Sequence, residues 1–176
     1  HGPFEKFMRQ IDGIVMPMFV LIPHNSQEPW TPVIATHGHS AGAKWGTVGD
    51  RTRPEVAADI DRAHSNYGQV LAEAGFIVFC PDARGFGERQ EVSVRGCGQP
   101  GQESCRELNN MAIPLGQCVT GMWTWDIMRL IDYIGTRKDC RRGGVGCAGL
   151  SGGGHQVLWA AALDERITCA LVSGYF

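Results

Sequence analysis

No stretch of the chain constrains the fold as tightly as Gly149-Leu150-Ser151-Gly152-Gly153. An apolar run, Val145–Gly149, leads into it, and an Ala/Leu-rich segment, Gly152–Leu163, leaves it. That order is strand, tight turn, helix, with a serine at the turn flanked by glycines in the G-x-S-x-G pattern. Such a turn holds a serine in unfavourable backbone angles and lifts its hydroxyl above a sheet, at the positive end of the following helix. Side chains on the flanking glycines would collide with neighbouring elements. With 24 glycines in 176 residues, the bare pattern arises by chance at about 0.13 per chain and is weak by itself, and the strand and helix around it are what strengthen it. Gly144-Val145-Gly146-Cys147-Ala148-Gly149 also fits G-x-G-x-x-G, but its glycines run through the strand itself and the next strand closes on Ser173. A dinucleotide fingerprint needs those glycines after the strand and an acidic residue closing the next one.

Around this turn the chain alternates strand and helix, the pattern of an α/β protein with a mainly parallel central sheet and helices on both faces. Strands are expected at Ile14–Ile22, Pro32–Thr36, Phe76–Cys80, Val145–Gly149 and Ile167–Ser173. Apolar spacing at Tyr67, Val70, Leu71 and Ala74 predicts a helix stopped by Gly75. Trp123, Ile127, Leu130, Ile131 and Ile134 predict a second, with Gly135 just beyond. Residues from about 84 to 117 are rich in Gly, Gln and Arg without clear periodicity. They read as a loop excursion over the mouth of the sheet.

The loop His37-Gly38-His39-Ser40 follows the Pro32–Thr36 strand, where a second donor for an oxyanion is expected, most plausibly the backbone N–H of His39, beside that of Gly152. His37 reads as a buried residue bracing that loop, and no metal is expected there, since His37 and His39 have no third ligand nearby in sequence. Asp82 reads as an ion-pair or turn-capping residue, because the acid of a serine triad comes after the serine in this chain order. His155 lies one helical turn beyond Ser151 and reads as a packed helix residue. Asp126 and Asp132 fall on the polar side of their helix with no special role, and Trp123 and Trp125 read as core or rim packing.

Composition narrows the partners. A net charge of −2 gives no reason to expect nucleic acid, and no apolar run approaches the ~18 residues of a membrane helix. The seven cysteines contain no C-x-x-C pair. Cys80, Cys147 and Cys169 sit in apolar runs and read as buried, while Cys97 and Cys105 flank a loop and could bridge in an oxidising compartment. The compartment stays open, the cytoplasm being favoured.

Together, His37-Gly38-His39-Ser40, the run Leu71-Ala72-Glu73-Ala74-Gly75-Phe76 leading to Pro81-Asp82-Ala83-Arg84-Gly85-Phe86-Gly87-Glu88-Arg89, and Gly149-Leu150-Ser151-Gly152-Gly153-Gly154 resemble the dienelactone-hydrolase-like branch of the α/β-hydrolases. Acetyl xylan esterases and cephalosporin C deacetylases look nearest, and the resemblance spans Val33 to Phe176. It implies a serine esterase acting on a small-molecule ester through an acyl-serine intermediate, with an acetyl or other short acyl group and no cofactor. Ser151 is then the nucleophile, with the N–H groups of His39 and Gly152 forming the oxyanion hole. The family's triad acid and base come after the strand ending near Ser173, so both are expected beyond Phe176. The chain thus reads as the N-terminal portion of one α/β-hydrolase domain over residues 1–176, truncated on its C-terminal side. It would be completed by a C-terminal segment or a partner chain. The alternatives are a serine peptidase of the oligopeptidase type and a non-catalytic hydrolase-like fragment that only binds ligand or partner.

Overall fold

The structure, a computed structural model, describes residues 4–11, 13–40, 42–91 and 103–175, with backbone only for 4–11. Its sheet has six strands in the order β1-β2-β4-β3-β5-β6: β1 Phe4–Ile11, β2 Ile14–Leu21, β3 Pro32–Thr36, β4 Ile77–Pro81, β5 Val145–Leu150 and β6 Ile167–Ser173. β3, β4, β5 and β6 run parallel, and the β1–β2 hairpin joins antiparallel through β2 against β4. The mainly parallel sheet and the five strands read from sequence are present, with β1 added and ends shifted by a residue.

Parallel strands covered on both faces must be apolar on both faces, and alternate residues then divide between two cores. Met18, Val20, Ile34, Ile77, Phe79 and Cys147 point to one face and pack on Ile127, Leu130, Ile131, Val157 and Ala160. These come from α5 (Val119–Thr136) and α6 (Gly152–Leu163). Phe19, Leu21, Ala35, Val78 and Cys80 point to the other and pack on Trp45, Tyr67 and Leu71, from α1 (Lys44–Thr47) and α3 (Tyr67–Glu73). The predicted helices on both faces are therefore observed. α2 (Pro54–Ala63) starts on a proline at its first turn, which suits proline's fixed φ, and buries Val56 and Ile60.

Three readings need correction, the third at Asp126 below. The 84–117 region is not a featureless excursion, because it holds α4 (Cys105–Ala112) and short 3₁₀ turns at Gly87–Arg89 and Ile113–Leu115. Cys105, Leu108 and Ala112 fall at helical spacing there, too short a run to stand out among Gly and Gln. Cys169 is exposed rather than buried, because β6 pairs only with β5 among the described residues and leaves Leu171 58% accessible. Cys80 and Cys147 are buried as expected, Cys105 is a free thiol, and Cys97 lies outside the described residues.

The turn after β4 is held by buried charge. Asp126 on α5 takes a two-pronged contact from Arg84 (3.0 and 2.7 Å) and a third from Arg89 Nη1 at 2.7 Å. Its carboxylate is 7% accessible and Arg89 6%. Asp126 is thus no idle polar-face residue. It is the shared carboxylate partner of two guanidinium groups, Arg84 and the buried Arg89. Asp132 is half exposed and pairs with Arg166 at 2.5 Å and Arg129 at 3.0 Å. Asp126→Ala in the intact protein should cost about 3–5 kcal/mol in urea unfolding by stranding buried positive charge. A loss under about 1 kcal/mol would show that this cluster does not hold the turn.

Candidate active site

Ser151 is where β5 becomes α6. It caps α6 with φ 55° and ψ −120°, one of three non-glycine residues with positive φ among those described. Holding a residue in so sparse a region costs about 1–3 kcal/mol unless the surroundings insist on it, and here they do. The Ser151 N–H donates to the Ser173 carbonyl at the end of β6 (2.8 Å), and the His155 N–H donates to the Ser151 carbonyl (3.0 Å). Ser151 itself is exposed. The strand-to-helix turn read from sequence is therefore the observed one.

Two glycines show why the turn closes so tightly. A Cβ on Gly153 would stand 2.1 Å from the Thr36 carbonyl oxygen, and one on Gly38 would stand 2.5 Å from the Leu150 carbonyl. The same Cβ on Gly38 would lie 3.3 Å from Ser151 Cβ and from the Gly152 nitrogen. The loop after β3 therefore lies on the elbow itself. Thr36 Oγ1 donates to the Gly153 carbonyl at 3.0 Å, and Gln156 Nε2 donates to the His37 carbonyl at 3.0 Å. Tyr67 donates its hydroxyl to the Thr36 carbonyl.

His37 is buried beneath this loop. Its Nε2 accepts from the Ala83 N–H at 3.0 Å, so the proton sits on Nδ1, which faces the Gly38 carbonyl at 3.0 Å. Both ring nitrogens are thus committed to the backbone, the bracing role expected of it. Burial lowers its pKa below the ordinary 6.5, although Asp82 opposes that shift. Beside it, Asp82 takes a salt bridge from the fully buried Lys44 and accepts from the Lys44 and Glu88 N–H groups at 3.3 and 3.0 Å. Lys44 Nζ also reaches Glu88 at 2.7 Å and lies 3.8 Å from the centre of the Trp45 ring. Asp82 is the ion-pair residue expected; Lys44 was not foreseen, because nothing in a four-residue helix containing glycine announces a buried lysine.

His39 points outward, its side chain 43% accessible. A Cβ on Gly152 would meet its Nδ1 at 2.6 Å, while its Nε2 faces Glu103 at 3.5 Å and Cys105 Sγ at 3.6 Å. Glu103 and Cys105 went unnoticed in sequence, having no motif of their own. His155 packs as expected, with its Nε2 3.0 Å from Thr120 Oγ1 and its ring 4.4 Å from that of Tyr175. Trp123 is buried and donates to the Arg84 carbonyl at 2.9 Å, whereas Trp125 is 42% accessible beside Arg129. A hollow of about 550 Å³ between Leu21, Val48, Gln69 and Ala72 is lined by no residue of the elbow or the His37–His39 loop.

No family model matches the chain. Among curated proteins it is 28% identical over 152 residues to "Putative hydrolase YtaP" of Bacillus subtilis, covering 86% of this chain and 45% of that protein. Among solved structures it resembles "a putative acetyl xylan esterase" from Bacteroides fragilis with TM-score 0.79, at 20% identity over 95% of this chain and 43% of that one. It also resembles a dienelactone hydrolase from Anabaena variabilis with TM-score 0.57, at 17% identity over 96% of this chain and 61% of that one. The chain spans less than half the length of the first two. These likenesses show the α/β-hydrolase fold.

Two outcomes follow from the geometry. Ser151→Gly should be more stable than Ser151→Ala by about 1 kcal/mol in urea unfolding, the relief of backbone strain outweighing glycine's ~0.5–1 kcal/mol entropic cost. Equal stabilities would mean that the turn is unstrained. For His37, the unfolded chain takes up a proton near pH 6.5 that the folded state resists, so its contribution is complete above that pH and is lost as pH falls below it. The loss of stability from pH 7 to pH 5 should shrink in His37→Gln, and an unchanged loss would clear His37 of the effect.

Proposed function

We propose that this chain, which has the α/β-hydrolase fold, carries the nucleophile of a serine hydrolase that cleaves carboxylic esters of small molecules. The observation that carries the reading is Ser151 itself, strained at φ 55° on the β5–α6 turn, exposed, and overlaid by the Gly38 loop. Strain of this kind persists where it positions a reacting group. Esterases and hydrolases among the similar proteins point to an ester rather than an amide, and the acetyl xylan esterase among them favours a short acyl group.

The chemistry runs in two steps. Ser151 Oγ attacks the ester carbonyl as a base removes its proton, the tetrahedral oxyanion is met by the N–H groups of His39 and Gly152, and the alcohol departs to leave an acyl-serine. Water then attacks that acyl group by the same route and frees the acid. Neither His37 nor His155 is free to serve as the base. Both nitrogens of His37 are bonded to backbone, and His155 has its Nε2 on Thr120 and its Nδ1 buried, without a hydrogen-bond partner among the described residues. The resemblance to the dienelactone-hydrolase-like branch puts the triad acid and histidine after the strand that ends at Ser173.

In the intact protein, Ser151→Ala should lower kcat on p-nitrophenyl acetate at least ~10³-fold and abolish labelling by a fluorophosphonate probe. Retained labelling would remove Ser151 from its role. His39→Ala should keep most of the activity, whereas a proline at His39, which has no N–H to give, should abolish it. Equal losses from both would assign the imidazole rather than the backbone. Across acetyl, butyryl and longer p-nitrophenyl esters, kcat/KM should fall with acyl length.

A further inference from the structure

We propose that His39, Glu103 and Cys105 form a binding site for a divalent transition metal of the zinc class, beside the serine elbow and independent of the esterase reading. The three donor atoms come from two separate segments, the loop after β3 and the start of α4. They face one another at 3.5 Å (His39 Nε2 to Glu103 Oε1), 3.6 Å (His39 Nε2 to Cys105 Sγ) and 3.8 Å (Cys105 Sγ to Glu103 Oε1). All three lie within 4.8 Å of each other.

Those separations are informative in two ways. A hydrogen bond between an imidazole nitrogen and a carboxylate closes to about 2.7–3.2 Å, so the His39–Glu103 pair stands too far apart for a good one. Zinc, by contrast, binds sulfur at about 2.3 Å and nitrogen or oxygen at about 2.0–2.2 Å in a tetrahedron, which puts its ligands about 3.3–3.6 Å apart. The observed triangle, whose two sulfur edges are hydrogen bonds of the Cys105 thiol, has the spacing of three tetrahedral ligands and is long only on its sulfur–oxygen edge. Imidazole, thiolate and carboxylate together select zinc and its neighbours over magnesium or calcium, which take oxygen alone.

The triangle is also built rather than accidental. The Ser104 N–H donates to the Gly85 carbonyl at 2.8 Å, and a Cβ on Gly85 would stand 2.7 Å from the Cys105 nitrogen, so the start of α4 is locked against the turn after β4. The His39 ring stands edge-on to Phe86 with centroids 5.1 Å apart. Cys105 is buried, while the His39 and Glu103 side chains are 43% and 34% accessible, so the ion would enter from solvent. Three protein ligands leave the fourth tetrahedral position for water. On binding, Cys105 gives its thiol proton to solvent and ligates as the thiolate.

The intact protein should bind one Zn²⁺ by competition against a chromophoric chelator, and Tm should rise with added Zn²⁺. Loaded with Co²⁺ instead, it should show a thiolate-to-cobalt charge-transfer band and tetrahedral d–d bands. Cys105→Ser should abolish the charge-transfer band and the Tm rise. His39→Ala and Glu103→Gln, both on accessible side chains, should each weaken Zn²⁺ binding at least tenfold and decide the matter should Cys105→Ser not fold. Zn²⁺ affinity unchanged in these variants, or no binding by the wild type at micromolar metal, would overturn the site.

Discussion

Thr36, the last residue of β3, is the contact on which the active end of this molecule closes. Its hydroxyl donates to Gly153 and its carbonyl takes the Tyr67 hydroxyl, and that carbonyl also sits where any Cβ at position 153 would have to go. One residue thus ties the central strand to the elbow helix and, through α3, to the helical layer on the opposite face. The approach is possible only because position 153 lacks a side chain. The constraint on sequence is severe and the gain is geometric: a serine held in strained backbone angles without any side chain of its own as a prop.

Around that contact the protein places charge where a core would ordinarily exclude it. Lys44 meets Asp82 and Glu88, and Arg84 and Arg89 meet Asp126, all on or against the turn after β4. Buried pairs of this kind add little net stability over apolar residues of equal size. Their effect is to fix one path for the backbone, and that path carries the Ala83 N–H to His37. His37 in turn supports the loop that covers the elbow. A chain of polar contacts therefore runs from α5 to the neighbourhood of Ser151, beginning in ion pairs between side chains and ending on the backbone at Ala83 and Gly38.

The sheet was legible because strands buried on both faces must read as unbroken apolar runs, and the elbow was legible because only glycine tolerates its crowding. What escaped was decided by contacts with no local signature. β1 joins the sheet through backbone pairing with β2, and the strands read from sequence begin only at Ile14. α2 shows only Pro54, Val56 and Ile60 as clues. Lys44 and Asp126 belong inside because of partners tens of residues away, and Cys169 lies outside because, among the described residues, β6 pairs with β5 alone. Glu103 and Cys105 meet His39 across more than sixty residues of sequence, a proximity that spacing does not encode.

The bond from the Ser151 N–H to the Ser173 carbonyl has a mechanical side. It fastens Ser151 to the far end of β6, and a Cβ on Gly154 would stand 2.6 Å from the same carbonyl. A one-residue slip of β6 against β5 would put in its place the carbonyl of a neighbouring residue, which points to the opposite edge of the strand, and the bond would be lost. β6 thus behaves as a lever on Ser151: whatever grips this strand also sets the aim of the hydroxyl.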